Sequence, residues 1–103
     1  MYTLFTLDPQ IFITPRHGNM LGGQMVTVQG PCFDQHDSNV CVFDGVEVTS
    51  VFVSRFKIVC ISPQLSRTGR VPFNLTVNGD QRGEATFSSC KYFVHFDKMG
   101  YMC

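Results

Sequence analysis

Tryptophan is absent from this 103-residue chain and charge is scarce: 16% of its residues are Asp, Glu, Lys or Arg, and the two signs cancel to zero with histidine neutral. A zero balance argues against general nucleic-acid binding, which needs a basic face to displace counterions. It argues equally against a polybasic membrane patch. No apolar run approaches the ~18 residues that span a bilayer, so no insertion of this segment into a membrane is expected. The opening MYTLFTLDPQ lacks the basic start, long apolar stretch and small-residue cleavage site of a secretory signal. There is no C-x-x-C or C-x-H pair of the kind zinc sites use, and His36 near Cys32 stands unsupported. With 44% hydrophobic residues the chain is the reverse of a disordered tail, and its length fits one domain with one core.

What is present is β-branched and aromatic residues broken by turn signals about every 8–12 residues, the pattern of an all-β chain. No window carries apolar residues at helical spacing for the ~10 residues a helix needs. Strands are predicted at Gln10–Thr14, Met25–Gln29, Val40–Phe43, Val46–Val53, Lys57–Ile61, Val71–Val77 and Ala85–Phe93. About seven short strands in roughly 100 residues suit an immunoglobulin-like β-sandwich. The clearest strand puts Val71, Phe73, Leu75 and Val77 on one face and Pro72, Asn74 and Thr76 on the other. Pro72 lacks a ladder donor and belongs near the strand's start or on an unpaired side. Asn78-Gly79 is a hairpin signal, although the residues between Val77 and Ala85 suggest a longer connection. A change of phase between Phe87 and Cys90 predicts a bulge near Ser88-Ser89. Phe12, Val26, Val28, Phe43 and Val46 are expected in the core, with Phe52, Phe56, Ile58 and Cys60. Residues 1–9 read as an N-terminal extension, 10–96 as the sandwich and 97–103 as a linker to a following module.

Five cysteines, Cys32, Cys41, Cys60, Cys90 and Cys103, are dense for a cytosolic domain and ordinary for an extracellular one. The sequon Asn74-Leu75-Thr76, on the solvent phase of its strand, is a candidate glycan acceptor and favours the same compartment. No catalytic constellation is visible: His17, His36 and His95 stand apart from any nucleophile. Asp34, Asp37 and Asp44 lack the spacing of a calcium loop. The glycines of residues 18–23 lead into a strand where a phosphate loop would need a helix. Arg67-Thr68-Gly69-Arg70 reads as a polar turn before a buried strand. No enzyme activity, metal or cofactor is expected.

The stretch Ile13–Gly18, Gly22-Gly23 and Val26–Gly30 resembles the opening of the IPT/TIG family of immunoglobulin-like (E-set) domains, and later fragments continue the likeness. These are Val42–Val46, Cys60-Ile61-Ser62-Pro63 and Gly69–Val77, so that the resemblance covers residues 10–96. Gly30-Pro31-Cys32-Phe33 and Arg67–Phe73 look further like the ectodomain segment of mesh-type and sushi-domain-containing membrane proteins. Plexin-type members of the family place a cysteine where this chain has Val48 and pair it with the one before Ser/Thr-Pro. From that departure the expected pair is Cys32–Cys41, stapling the Pro31–Asn39 loop, with Cys60–Cys90 second. Cys90–Cys103 with Cys60 free stays open, and Cys103 is otherwise expected to be unpaired or to bond a neighbouring module.

The resemblance implies a non-catalytic extracellular module of a larger cell-surface protein, a spacer that contacts other modules of its own chain and other cell-surface proteins, with no nucleic-acid partner. Two alternatives share the fold. One is a dimerising or DNA-contacting domain of a nuclear factor, opposed by neutral charge and cysteine density. The other is a carbohydrate-binding accessory module, opposed by the missing tryptophan.

Overall fold

The computed structural model describes residues 11–30, 32–95 and 98–103. Among these residues all regular structure is β, in ten strands. They are β1 (Phe12–Thr14), β2 (His17–Asn19), β3 (Met25–Gln29), β4 (Asn39–Phe43), β5 (Val46–Thr49), β6 (Val51–Ser54), β7 (Lys57–Ile61), β8 (Gly69–Val77), β9 (Asp80–His95) and β10 (Lys98–Met102). A four-stranded sheet runs β1-β3-β7-β6. A six-stranded sheet runs β10-β9-β8-β4-β5, with β2 added in parallel to β9. Among the described residues no helix is long and apolar enough to cross a membrane.

The core is the strip where inward phases of the two sheets meet. Val26 and Val28 of β3 and Ile58 of β7 face Phe43 of β4, Val71, Phe73 and Leu75 of β8, and Phe87 of β9, all buried. Phe43 meets Phe73 and Phe87 edge-to-face, with centroids 5.0 and 5.1 Å apart. Such pairs add about 0.5–1.5 kcal/mol each beyond area burial.

Two tight turns set the registers. Asp44 and Gly45 have φ of 51° and 84°, and Asn78 and Gly79 have 53° and 89°. Both are the positive-φ pairs that a two-residue hairpin requires. Thus Val77 pairs directly with Asp80, and the longer connection expected from sequence is replaced by a tight hairpin. The bulge also moves: the β8–β9 register shifts between Leu75 and Thr76, leaving Arg82 as the extra residue, whereas pairing through Ser88 and Ser89 is regular. Pro72 lies inside β8 just beyond the last β4 pairing, Phe43 with Phe73. Its carbonyl accepts from Asp44 N at 2.8 Å, so its missing N–H faces the turn and breaks no ladder bond.

The expected strand Val46–Val53 is two strands in different sheets. The chain crosses at Ser50, whose N and Oγ both donate to Asn39 O, at 3.3 and 2.7 Å. Phe12 is 53% exposed because Ile11 and Ile13 take the inward phase of that edge. Val46 and Phe56 are exposed at turns, and Phe52 is half-buried against the core. The segment expected as a linker forms β10, which pairs with Lys91–His95 of β9. The expected extension 1–9 lies outside the described residues, as does Phe96.

Candidate functional site

The cysteines correct the sequence expectation. Cys41 is bonded to Cys60 and Cys90 to Cys103, and Cys32 is free and exposed. Neither Cys32–Cys41 nor Cys60–Cys90 forms. In β4 the alternation buries Asn39, Cys41 and Phe43, so Cys41 looks across the gap and meets the inward Cys60 of β7. Cys32 lies exposed in the loop after β3 and makes no bond to Cys41. Cys90 is one residue out of phase with inward Phe87 and Ser89, so it turns away from Cys60. Its partner Cys103 is the next pair along the β9–β10 register after Met102 and Lys91. Cys103 is therefore bonded within the chain.

Cys41 sits directly opposite Val48. The inter-sheet bridge to the cysteine before Ser62-Pro63 is thus present, with its first sulfur one strand over from the position the resemblance pointed to. A cross-link between the two sheets, whose residues are separated by 19 in sequence, fixes the sandwich at its centre.

The glycine-rich turn and the Ser62-Pro63 segment meet in space. Gly23 N donates to Ser62 O at 2.9 Å, Ser62 N to Gln24 O at 2.8 Å, and Gln24 N to Ser62 Oγ at 3.0 Å. Leu65 N donates to Met20 O and Met20 N to Cys90 O, both at 2.7 Å. These bonds tie the turn to both sheets. Gly22, at φ +94°, has no room for a side chain: a Cβ there would lie 2.9 Å from Ser62 O.

The acidic loop is structural. Asp34 Oδ1 caps His36 N at 2.8 Å, and Asp37 Oδ1 accepts from Asn78 Nδ2 at 3.0 Å. Asn78 Oδ1 in turn accepts from Ser38 N at 2.9 Å. Asp44 takes a bidentate contact from Arg67, both bonds at 2.8 Å, joining the β4–β5 turn to the loop before β8. The Arg67 hydrogen bond holds the Asp44 carboxyl below its ordinary range. His17 and His36 are exposed and apart from one another in sequence and element. Among the described residues no three His, Cys, Asp or Glu side chains gather as a metal-holding group.

Two outer faces remain. On the six-stranded sheet, half-buried Asn74 shares a polar depression with Arg70, Glu84 and Thr86. The outer face of the four-stranded sheet is apolar instead: Met25 pairs with Ile61 and Val51 with Val59, and Met25, Val51, Val53 and Ile61 are all exposed. These four side chains line one shallow groove. Sequence reasoning missed this patch because strand alternation alone does not say which face a neighbour covers.

This chain matches the IPT/TIG domain family over residues 12–94. It belongs to that family. It is also 33% identical over 70 residues to Protein mesh of Bombyx mori, a match covering 68% of this chain and 4% of that relative. The IPT/TIG domain described here is therefore similar to a small part of a much longer protein.

Proposed function

We propose that this IPT/TIG domain is a non-catalytic extracellular module of a larger cell-surface protein, where it acts as a rigid spacer and a protein-contact, cell-adhesion surface. The observation that carries the reading is the buried Cys41–Cys60 bridge between the two sheets. A cross-link of that kind persists where thiols are oxidised, in secreted and surface proteins. The Cys90–Cys103 bond, the neutral charge and the limited coverage of the mesh relative support the same reading.

The two outer faces suit different tasks. A glycan on Asn74 occupies the polar face of the six-stranded sheet, and the apolar face of the four-stranded sheet contacts another module or another surface protein. The test is expression behind a secretion leader in animal cells. The domain is expected in the medium with a glycosidase-sensitive mobility shift that Asn74→Gln abolishes. Secretion of a domain whose mobility glycosidase does not change contradicts the assignment of Asn74.

A further inference from the structure

The depression around Asn74 has a volume of about 540 Å³, and its walls include Pro72 of β8 and Glu84 and Thr86 of β9. The register fixes their places: Asn74 lies directly opposite Glu84, and Pro72 directly opposite Thr86. On its other flank Asn74 faces Val42 of β4, which is half-buried. Pro72, Glu84 and Thr86 are exposed and Asn74 is half-buried, so Asn74 is the member of this group that the others enclose.

An N-linked glycan starts with N-acetylglucosamine, whose C1 is bonded directly to the asparagine Nδ2. With no spacer in between, the first ring lies among these walls wherever the rest of the chain points. The walls match that sugar on both of its sides. Pro72 and Val42 offer apolar surface to the C–H face of the ring and the acetamide methyl. Glu84 and Thr86 offer polar groups to its hydroxyls and amide: Glu84 Oε2 accepts from Gln81 Nε2 at 3.4 Å, its other oxygen is a second acceptor, and the Thr86 hydroxyl donates or accepts. The volume falls within the ~300–1,000 Å³ range of small-molecule sites.

We propose that this depression is a binding seat for the first N-acetylglucosamine on Asn74, and that the seated sugar braces β8 against β9. The proposal rests on Asn74 as the glycan acceptor and adds that the glycan is held by the fold. The domain secreted from animal cells is trimmed by an endoglycosidase to a single sugar, and its thermal midpoint is compared with that of Asn74→Gln. The one-sugar form is expected to melt about 4 °C higher, the scale of one net hydrogen bond in a domain of this length, and to equal the untrimmed form. Nuclear Overhauser contacts from the sugar ring to Pro72 are expected in the same sample. Glu84→Ala with Thr86→Ala is expected to shrink the sugar's effect and to change the bare domain little, since both side chains are exposed. A one-sugar form that melts with Asn74→Gln, or a sugar effect unchanged in the double variant, overturns the seat and leaves the acceptor assignment standing. A domain secreted with Asn74 bare overturns that assignment and the seat with it.

Discussion

Ser62 and Gln24 hold each other from both sides: Ser62 N donates to Gln24 O at 2.8 Å, and Gln24 N donates to Ser62 Oγ at 3.0 Å. Ser62 is buried, so neither bond has ready competition from water. Ser62→Ala leaves the Gln24 N–H without its acceptor and is expected to cost about 1–3 kcal/mol in urea unfolding. Gly22→Ala is expected to cost at least as much. It forces a side chain into a positive-φ position and against the Ser62 carbonyl. A Gly22→Ala protein as stable as the parent shows that this junction does not set the fold.

The Cys41–Cys60 bridge is buried at both ends. Closing a loop of its 19-residue separation contributes about 3 kcal/mol in the chain-entropy model. Cys41→Ala with Cys60→Ala is expected to lose about that much, plus the packing of two buried sulfurs. Cys32→Ser, at an exposed site, is expected to stay within about 0.5 kcal/mol. The reverse ranking, read from denaturant midpoints, contradicts the assigned pairing.

The Asp44–Arg67 pair predicts an acid-side dependence. Asp44 has a folded pKa below its unfolded value, chiefly through the Arg67 hydrogen bond. Its contribution is then complete above the ordinary aspartate pKa of about 3.9 and is lost as pH falls through the lower folded value. Asp44→Asn keeps a residue that tolerates the positive φ of the turn. The parent is expected to be slightly more stable than Asp44→Asn at neutral pH, with the difference vanishing at strongly acid pH. A gap that widens as pH falls contradicts the sign. The pair is exposed at Arg67, so the effect is small and weakens with salt.

The apolar groove predicts protection in context. Met25 and Ile61 are exposed in the isolated domain. Hydroxyl-radical footprinting is expected to oxidise them there and to spare them in the full-length protein, where a partner covers the face. Val51→Lys is expected to leave domain stability within about 0.5 kcal/mol and to restore oxidation in the full-length protein. Equal oxidation of Met25 and Ile61 in both contexts removes the contact role from this face.

Much of the architecture was legible because strand periodicity is a local signal. Val71, Phe73 and Leu75 turn inward as their alternation requires, and β3 and β7 fall where the β-branched runs put them. Short edge elements were hidden. His17–Asn19 is a strand only because β9 offers it an edge, and Lys98–Met102 only because β9 is long enough to pair with it. Ser50 was overlooked although the valines change phase there, from Val46 and Val48 to Val51 and Val53, as the chain passes between sheets. The disulfides were misread for a related reason. The departure from the plexin-type pattern pointed to Cys32 with Cys41, but inward phase decides which sulfurs face one another, and Cys41 and Cys60 share it across the gap. Asp44 and Arg67 lie far apart in sequence and meet through loop geometry, which no local pattern encodes. The apolar groove was likewise invisible until the stacking of the sheets fixed which faces point outward.

The most direct test of an extracellular, disulfide-built module is non-reducing peptide mass spectrometry on protein secreted from eukaryotic cells, reading Asn74 in the same run. The expected result is Cys41 linked to Cys60, Cys90 linked to Cys103, and a glycan on Asn74. Five reduced thiols with a bare Asn74 would contradict the account and place the domain in a reducing compartment.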